Sequence, residues 1–133
     1  MEEILNFIGG KFTPCSSGQS IDNLCPATGE VYSKIPRSDA TDVDIAVAAA
    51  ESAQPAWSAL SRNERSAWLV HIAEALETRS EEIAVAESRD TGKPISLARA
   101  VDSARSVNNF RFFAKMLGER QQETYAMSDA TNH

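Results

Sequence analysis

Leu97, Val101, Ala104, Phe113, Met116 and Leu117 recur at helical spacing between Ser96 and Gln122, which predicts one helix roughly 40 Å long. A compact globule of 133 residues has a radius of gyration of about 14 Å. Such a helix must therefore protrude or lie on a larger body, and its apolar stripe is shaped to rest against other protein. From Tyr125 to His133 there is no cap, no stop signal and little apolar content, so the chain reads as cut.

The pattern upstream changes period once. Over the first 38 residues Asn6-Phe7-Ile8 and Lys11-Phe12 flank Gly9-Gly10, a dipeptide that tolerates positive φ and suits a two-residue hairpin turn. A second turn is expected at Pro26-Ala27-Thr28-Gly29, between runs holding Ile21 and Leu24 on one side and Val31, Tyr32 and Ile35 on the other. From Asp39 the period becomes helical. Asp39, Thr41 or Asp42 can cap a first helix with Val43, Ala46, Val47 and Ala50 on one face, stopped by Pro55. Ser61-Arg62-Asn63-Glu64 has capping-box spacing for a second helix, with Trp68, Ile72, Ala75 and Leu76 as its apolar set. Thr78-Arg79-Ser80-Glu81 repeats that spacing for a third, which Gly92 ends. After Lys93-Pro94 the chain turns, and Ser96 is expected to cap the long fourth helix.

With 42% hydrophobic and 24% charged residues the chain has the composition of a globular protein that forms a core. A formal net charge of -6 with no basic stripe argues against nucleic acid or an acidic membrane as partner, since both are polyanionic. Met1-Glu2-Glu3 runs straight into patterned sequence and no apolar run approaches the roughly 20 residues of a membrane span. The expected location is cytoplasmic. Cys15 and Cys25 are too few and too unpatterned for a disulfide framework or a zinc site. Trp57, Trp68 and His71 read as packing residues.

The order of these pieces resembles the N-terminal segment of the aldehyde dehydrogenase superfamily. The resemblance is carried by Phe7-Ile8-Gly9-Gly10-Lys11-Phe12, by Pro26-Ala27-Thr28-Gly29-Glu30-Val31, by Ala53 to Trp57, by Arg62 to Ala67, and by Glu87-Ser88-Arg89-Asp90-Thr91-Gly92-Lys93-Pro94. Arg105-Ser106-Val107-Asn108-Asn109-Phe110-Arg111-Phe112-Phe113-Ala114 is similar to the branch acting on muconic semialdehydes, including 2-aminomuconic semialdehyde. The chain departs from many relatives at Ser96-Leu97-Ala98, where an acidic residue often precedes the alanine. The resemblance implies an α/β parent fold, with this segment supplying N-terminal β-hairpins and then four helices, the last one long. Residues 1–125 would form the N-terminal part of the coenzyme-binding domain, with hairpins over 6–36 and helices over about 40–122. Residues 126–133 would start a strand leading to the oligomerisation region of a homodimer or homotetramer.

In that family a Cys thiolate attacks the aldehyde, a hydride passes to NAD or NADP, and a Glu-activated water releases the acid. This sequence has no Phe-x-x-x-Gly-Gln-x-Cys, Glu-Leu-Gly-Gly or Pro-Trp-Asn segment, and no Gly-rich turn between a strand and a helix for a pyrophosphate. No catalytic and no cofactor-binding residue is therefore assigned, and the chain by itself is expected to be inactive. Arg105, four residues after Val101 on the helix face that borders the aldehyde tunnel in the family, is the candidate substrate-binding residue. A guanidinium can clamp the substrate carboxylate of a muconic semialdehyde through two parallel hydrogen bonds. The other reading is an exposed or structural arginine paired with Asp102. Asn109 and Arg111 are weaker candidates for the same contact. Relatives often hold a structural monovalent cation, here on the backbone oxygens of Asn23 and Leu24 and on Asp90, unless Asp90 merely caps or pairs near Lys93. A competing reading of the whole chain is a non-catalytic helical module that associates with a full-length aldehyde dehydrogenase.

Overall fold

The computed structural model describes residues 2–119, 125–126 and 131–132. The first hairpin forms as expected, with β2 (Asn6–Ile8) antiparallel to β3 (Lys11–Thr13) and Phe7 opposite Phe12. Gly9 and Gly10 turn it at φ 58° and 80°, a pair of positive values that matches the right-handed twist of the flanking strands. The second hairpin joins β4 (Ser20–Leu24) to β5 (Val31–Pro36), antiparallel, with a register shift at Asn23/Leu24. The sequence did not point to β1 (Glu2–Glu3), which pairs parallel to β5 and makes it the central strand of three.

Helix α1 spans Ala40–Ala59 and starts in a capping box: Thr41 N–H donates to Asp39 Oδ1 at 2.8 Å, and Asp39 N–H to Asp42 Oδ2 at 3.0 Å. Asp42 does more than cap. Its Oδ1 also accepts from the backbone N–H and hydroxyl of Ser16, both at 2.7 Å, tying α1 to the link between β3 and β4. This fixes which side of α1 faces inward. Asp42 is buried and Ala46 and Ala49 are half-buried, whereas Val43 and Val47, expected on the inner face, are 57% and 50% exposed. Pro55 does not stop the helix. Residues 51–59 are all exposed, so the carbonyl that loses its partner to proline reaches water, and the helix continues one further turn.

Helix α2 (Arg62–Thr78) has the capping box read from the sequence, with Glu64 N–H on Ser61 Oγ at 3.2 Å and Ser61 N–H on Glu64 Oε2 at 2.7 Å. Helix α3 (Ser80–Thr91) has no side-chain cap. Thr78, expected to cap it, is the last residue of α2 and donates its hydroxyl to Glu74 O at 2.9 Å. A bidentate Arg79–Glu82 pair steadies the first turn of α3 instead. Gly92 ends α3 at φ 73°.

The fourth helix, α4, is continuous over three runs: an α turn Ile95–Leu97, a π segment Ala98–Ser103 and an α run Ala104–Glu119. Ser96 does not cap it. Pro94 O accepts the N–H groups of Leu97 and Ala98 at 2.9 and 3.1 Å, so the start is closed by main chain. The extension expected to Gln122 lies outside the described residues, as does most of the tract expected to lead to an oligomerisation region. Of that tract β6 (Tyr125–Ala126) and β7 (Thr131–Asn132) are described, as an antiparallel pair. No helix among the described residues is long and apolar enough to cross a membrane.

The helical core is made of small side chains. Ala73, Ala84 and Ala98 are fully buried and Ala114 nearly so, which lets helix backbones approach closely and lets hydroxyls bridge them. Ser66 donates to Ala114 O at 2.8 Å and Ser103 to Ser80 O at 3.1 Å. The inner face of α4 is accordingly Ala98, Ser103, Val107 and Ala114. Most of the apolar stripe predicted for α4 faces outward: Leu97, Val101, Phe113 and Met116 are 48%, 38%, 60% and 45% exposed, while Leu117 is half-buried. The inner set of α2 is likewise Leu69, Ala73 and Leu76, with Trp68 55% exposed.

Candidate functional site

The π segment and the end of α3 enclose one polar cluster. Lys93 Nζ bonds Glu87 Oε1 at 2.8 Å and Asp102 Oδ2 at 2.7 Å, all three side chains being half-buried. The two carboxylates, Asp102 foremost, raise the Lys93 ammonium above its ordinary value, so it stays charged. The main chain holds the lysine in place, because Ser88 Oγ donates to Lys93 O at 2.7 Å. No local sequence signal marks this bridge, since six and nine residues separate the partners.

Arg105 follows on the exposed side of α4 and has no hydrogen-bond or ion-pair partner among the described residues. Pairing with Asp102, the alternative its spacing allowed, does not occur; Asp102 Oδ2 accepts from Lys93 instead. Arg111 is different. Its guanidinium forks onto Glu77 at 3.1 and 2.6 Å and fastens α4 to α2, which commits its charge and two of its N–H donors to the fold. Asn109 is exposed.

Asp90, near the end of α3, reaches the second hairpin. Its Oδ1 accepts from Tyr32 Oη at 2.6 Å and Asn23 Nδ2 at 3.1 Å. These bonds, the tyrosine's first, hold its carboxyl below the usual carboxylate range, and Asp90 in turn raises the Tyr32 phenol. Arg89 stacks over the Tyr32 ring at 4.3 Å. Asp90 thus does not pair with Lys93. A persistent carboxylate beside a strand irregularity at Asn23/Leu24 suits a hard monovalent cation in donor chemistry, since such ions take oxygen ligands. Groups of three or more His, Cys, Asp or Glu able to hold a metal are absent among the described residues.

Cys15 is buried with Sγ on Gln19 O at 3.0 Å, and Cys25 lies half-buried in the Pro26–Gly29 turn. The Ala27 backbone N–H and then the Thr28 hydroxyl lower the Cys25 thiol. His71 is exposed, with Glu74 at 3.5 Å and Trp68 edge-on.

The profile described as "Aldehyde dehydrogenase family" matches residues 12–133. The chain belongs to the aldehyde dehydrogenase family. Among its aldehyde dehydrogenase relatives, the 2-aminomuconic semialdehyde dehydrogenase of Mus musculus is 55% identical over 109 residues, which are 82% of this chain and 22% of that protein. Its counterpart in Homo sapiens is 53% identical over the same shares of each chain. These relatives agree with the branch that the Arg105–Ala114 run resembles. Among solved structures, PnpE from Pseudomonas sp. WBC-3 superposes with a TM-score of 0.88 at 38% identity, over 96% of this chain and 26% of that one. KauB of Pseudomonas aeruginosa, an aldehyde dehydrogenase, gives 0.89 at 31% identity over the same shares. PnpE has also been solved in complex with nicotinamide adenine dinucleotide. The chain therefore spans about a quarter of the aldehyde dehydrogenases it matches.

Proposed function

We propose that this chain is the N-terminal segment of a cytoplasmic, homodimeric or homotetrameric NAD(P)-dependent aldehyde dehydrogenase. The enzyme oxidises a carboxylated semialdehyde of the muconic type to the acid, and Arg105 holds the carboxylate remote from the reacting carbonyl. The observation that carries the substrate reading is an exposed guanidinium without a partner among the described residues, on a helix whose other two arginines, Arg99 and Arg111, fork onto Glu81 and Glu77. NAD(P) would supply the hydride acceptor, and no residue of this chain is assigned to it. Asn23 and Leu24 main-chain oxygens with Asp90 are proposed to hold a structural monovalent cation.

The chain alone is expected to produce no NADH from NAD and an aldehyde. Aldehyde-dependent NADH formation by the purified 133-residue chain would overturn the segment reading. In the full-length enzyme Arg105→Ala should raise KM for a carboxylated aldehyde roughly 30-fold, as expected for a lost charge-assisted pair of hydrogen bonds. KM for a neutral aldehyde of similar size should stay put. An unchanged preference for the carboxylated substrate refutes the clamp. The exposed Leu97, Phe113 and Met116 also favour a second reading, a non-catalytic module that docks onto an intact aldehyde dehydrogenase. Co-elution of the two purified proteins from a sizing column would support it.

A further inference from the structure

We infer that Lys93 is a positioning residue for Arg105: by holding the Asp102 carboxylate, it keeps the guanidinium free for a substrate anion. The inference rests on the reading of Arg105 as the carboxylate clamp. Asp102 lies three residues before Arg105, a spacing at which Asp and Arg on a helix ordinarily meet. In this fold they do not. Asp102 Oδ2 is 2.7 Å from Lys93 Nζ, and the same ammonium takes Glu87 at 2.8 Å. The ammonium comes from outside the helix, from the link between α3 and α4, and Ser88 fixes the main chain beneath it.

The physical consequence follows from charge. One cation serves two half-buried carboxylates, so the cluster already carries a net negative charge. Removing Lys93 leaves both carboxylates without their cation. Arg99, at the same spacing on the other side of Asp102, is already forked onto Glu81, so the cation of α4 left to answer Asp102 is Arg105, whose long side chain has no partner among the described residues. Once paired to Asp102, its fork is occupied and its charge offset, and a substrate carboxylate must displace an internal one. Asp102 thus competes with the substrate for Arg105, and Lys93 removes the competitor.

The test uses the full-length enzyme and compares a carboxylated with a neutral aldehyde. Lys93→Met should raise KM for the carboxylated aldehyde about fivefold, leaving kcat and the neutral aldehyde's KM unchanged. Lys93→Arg, which restores a cation for Asp102, should behave as the parent. The double variant Lys93→Met/Asp102→Asn should return KM to within about twofold of the parent, because the competitor is gone. A merely structural lysine would shift KM for both aldehydes, or kcat, together, and would not confine the loss and its rescue to the carboxylated substrate. Where Lys93→Met does not fold, Lys93→Gln with and without Asp102→Asn gives the same comparison. An unchanged KM in the single variant, or no rescue in the double one, overturns the inference. If Arg105→Ala itself leaves discrimination intact, the clamp reading fails first; if Arg105→Ala abolishes discrimination and the Lys93 pair shows no rescue, the clamp stands and only the role of Lys93 falls.

Discussion

Gly92→Val should cost the chain about 3–4 kcal/mol of stability, the sum of a left-handed backbone forced on a β-branched residue and a steric contact. Gly92 sits at φ +73°, and a Cβ there would lie 3.1 Å from Pro26 Cβ and 3.5 Å from Ala27 N. The tight contact is with a proline ring carbon, which is no flexible side-chain end, while the Ala27 nitrogen lies at ordinary van der Waals distance, so the second hairpin turn must shift against the end of α3. That movement would also strain the Asp90–Tyr32 and Asp90–Asn23 bonds two residues away. Urea denaturation followed by circular dichroism measures the loss. Gly92→Ala should lie between the parent and the valine variant, and a valine variant within about 1 kcal/mol of the parent would contradict the argument.

The second large effect concerns acid. Asp42 accepts from the Ser16 hydroxyl, the Asp39 N–H and the Ser16 N–H, and these bonds, in that order, hold its carboxyl below the usual range. A carboxyl whose value is depressed by folding stabilises the fold above its unfolded value, near about 3.9 for aspartate, and that stabilisation is lost as pH falls through the folded value. Asp90, Glu64, Glu77, Glu81 and Glu82 are depressed in the same sense by their own partners. The chain should therefore hold its stability down to about pH 4 and lose it progressively below. Asp42→Asn removes one share of this dependence. At neutral pH its Tm should be lower by about 5–10 °C, and the gap should narrow as the medium is acidified and the parent's own carboxyl protonates. A gap that stays constant with pH would show that the ionised form of Asp42 is not what holds Ser16.

Much of the local structure was legible because its causes are local. Gly9-Gly10 between Phe7 and Phe12, the Ser61–Glu64 capping box and the Gly92 stop each depend on residues a few positions apart, and each formed as read. The helix faces were not legible. Counting large apolar side chains put Val43 and Trp68 inside, but close helix contact here selects alanine and serine, which a hydrophobicity pattern scores as weak. Thr78 and Ser96 had the right spacing to cap, and lost because Thr78 bonds its own helix and Pro94 O already closes the start of α4. At the candidate site it was the family resemblance of the sequence that singled out Arg105 and Asp90. What it left open, whether Arg105 pairs with Asp102, is decided by Lys93, and that contact exists only once α3 has folded back against the start of α4.

The π segment at Ala98–Ser103 carries one residue more than the same stretch of α-helix needs. A single-codon deletion there would leave an unbroken α-helix with its two ends in nearly their present orientation, because the wide turn already absorbs the extra residue. Helix α4 thus carries a dispensable residue at its joint. Evolution can add or remove it there without re-aiming the side chains of either end.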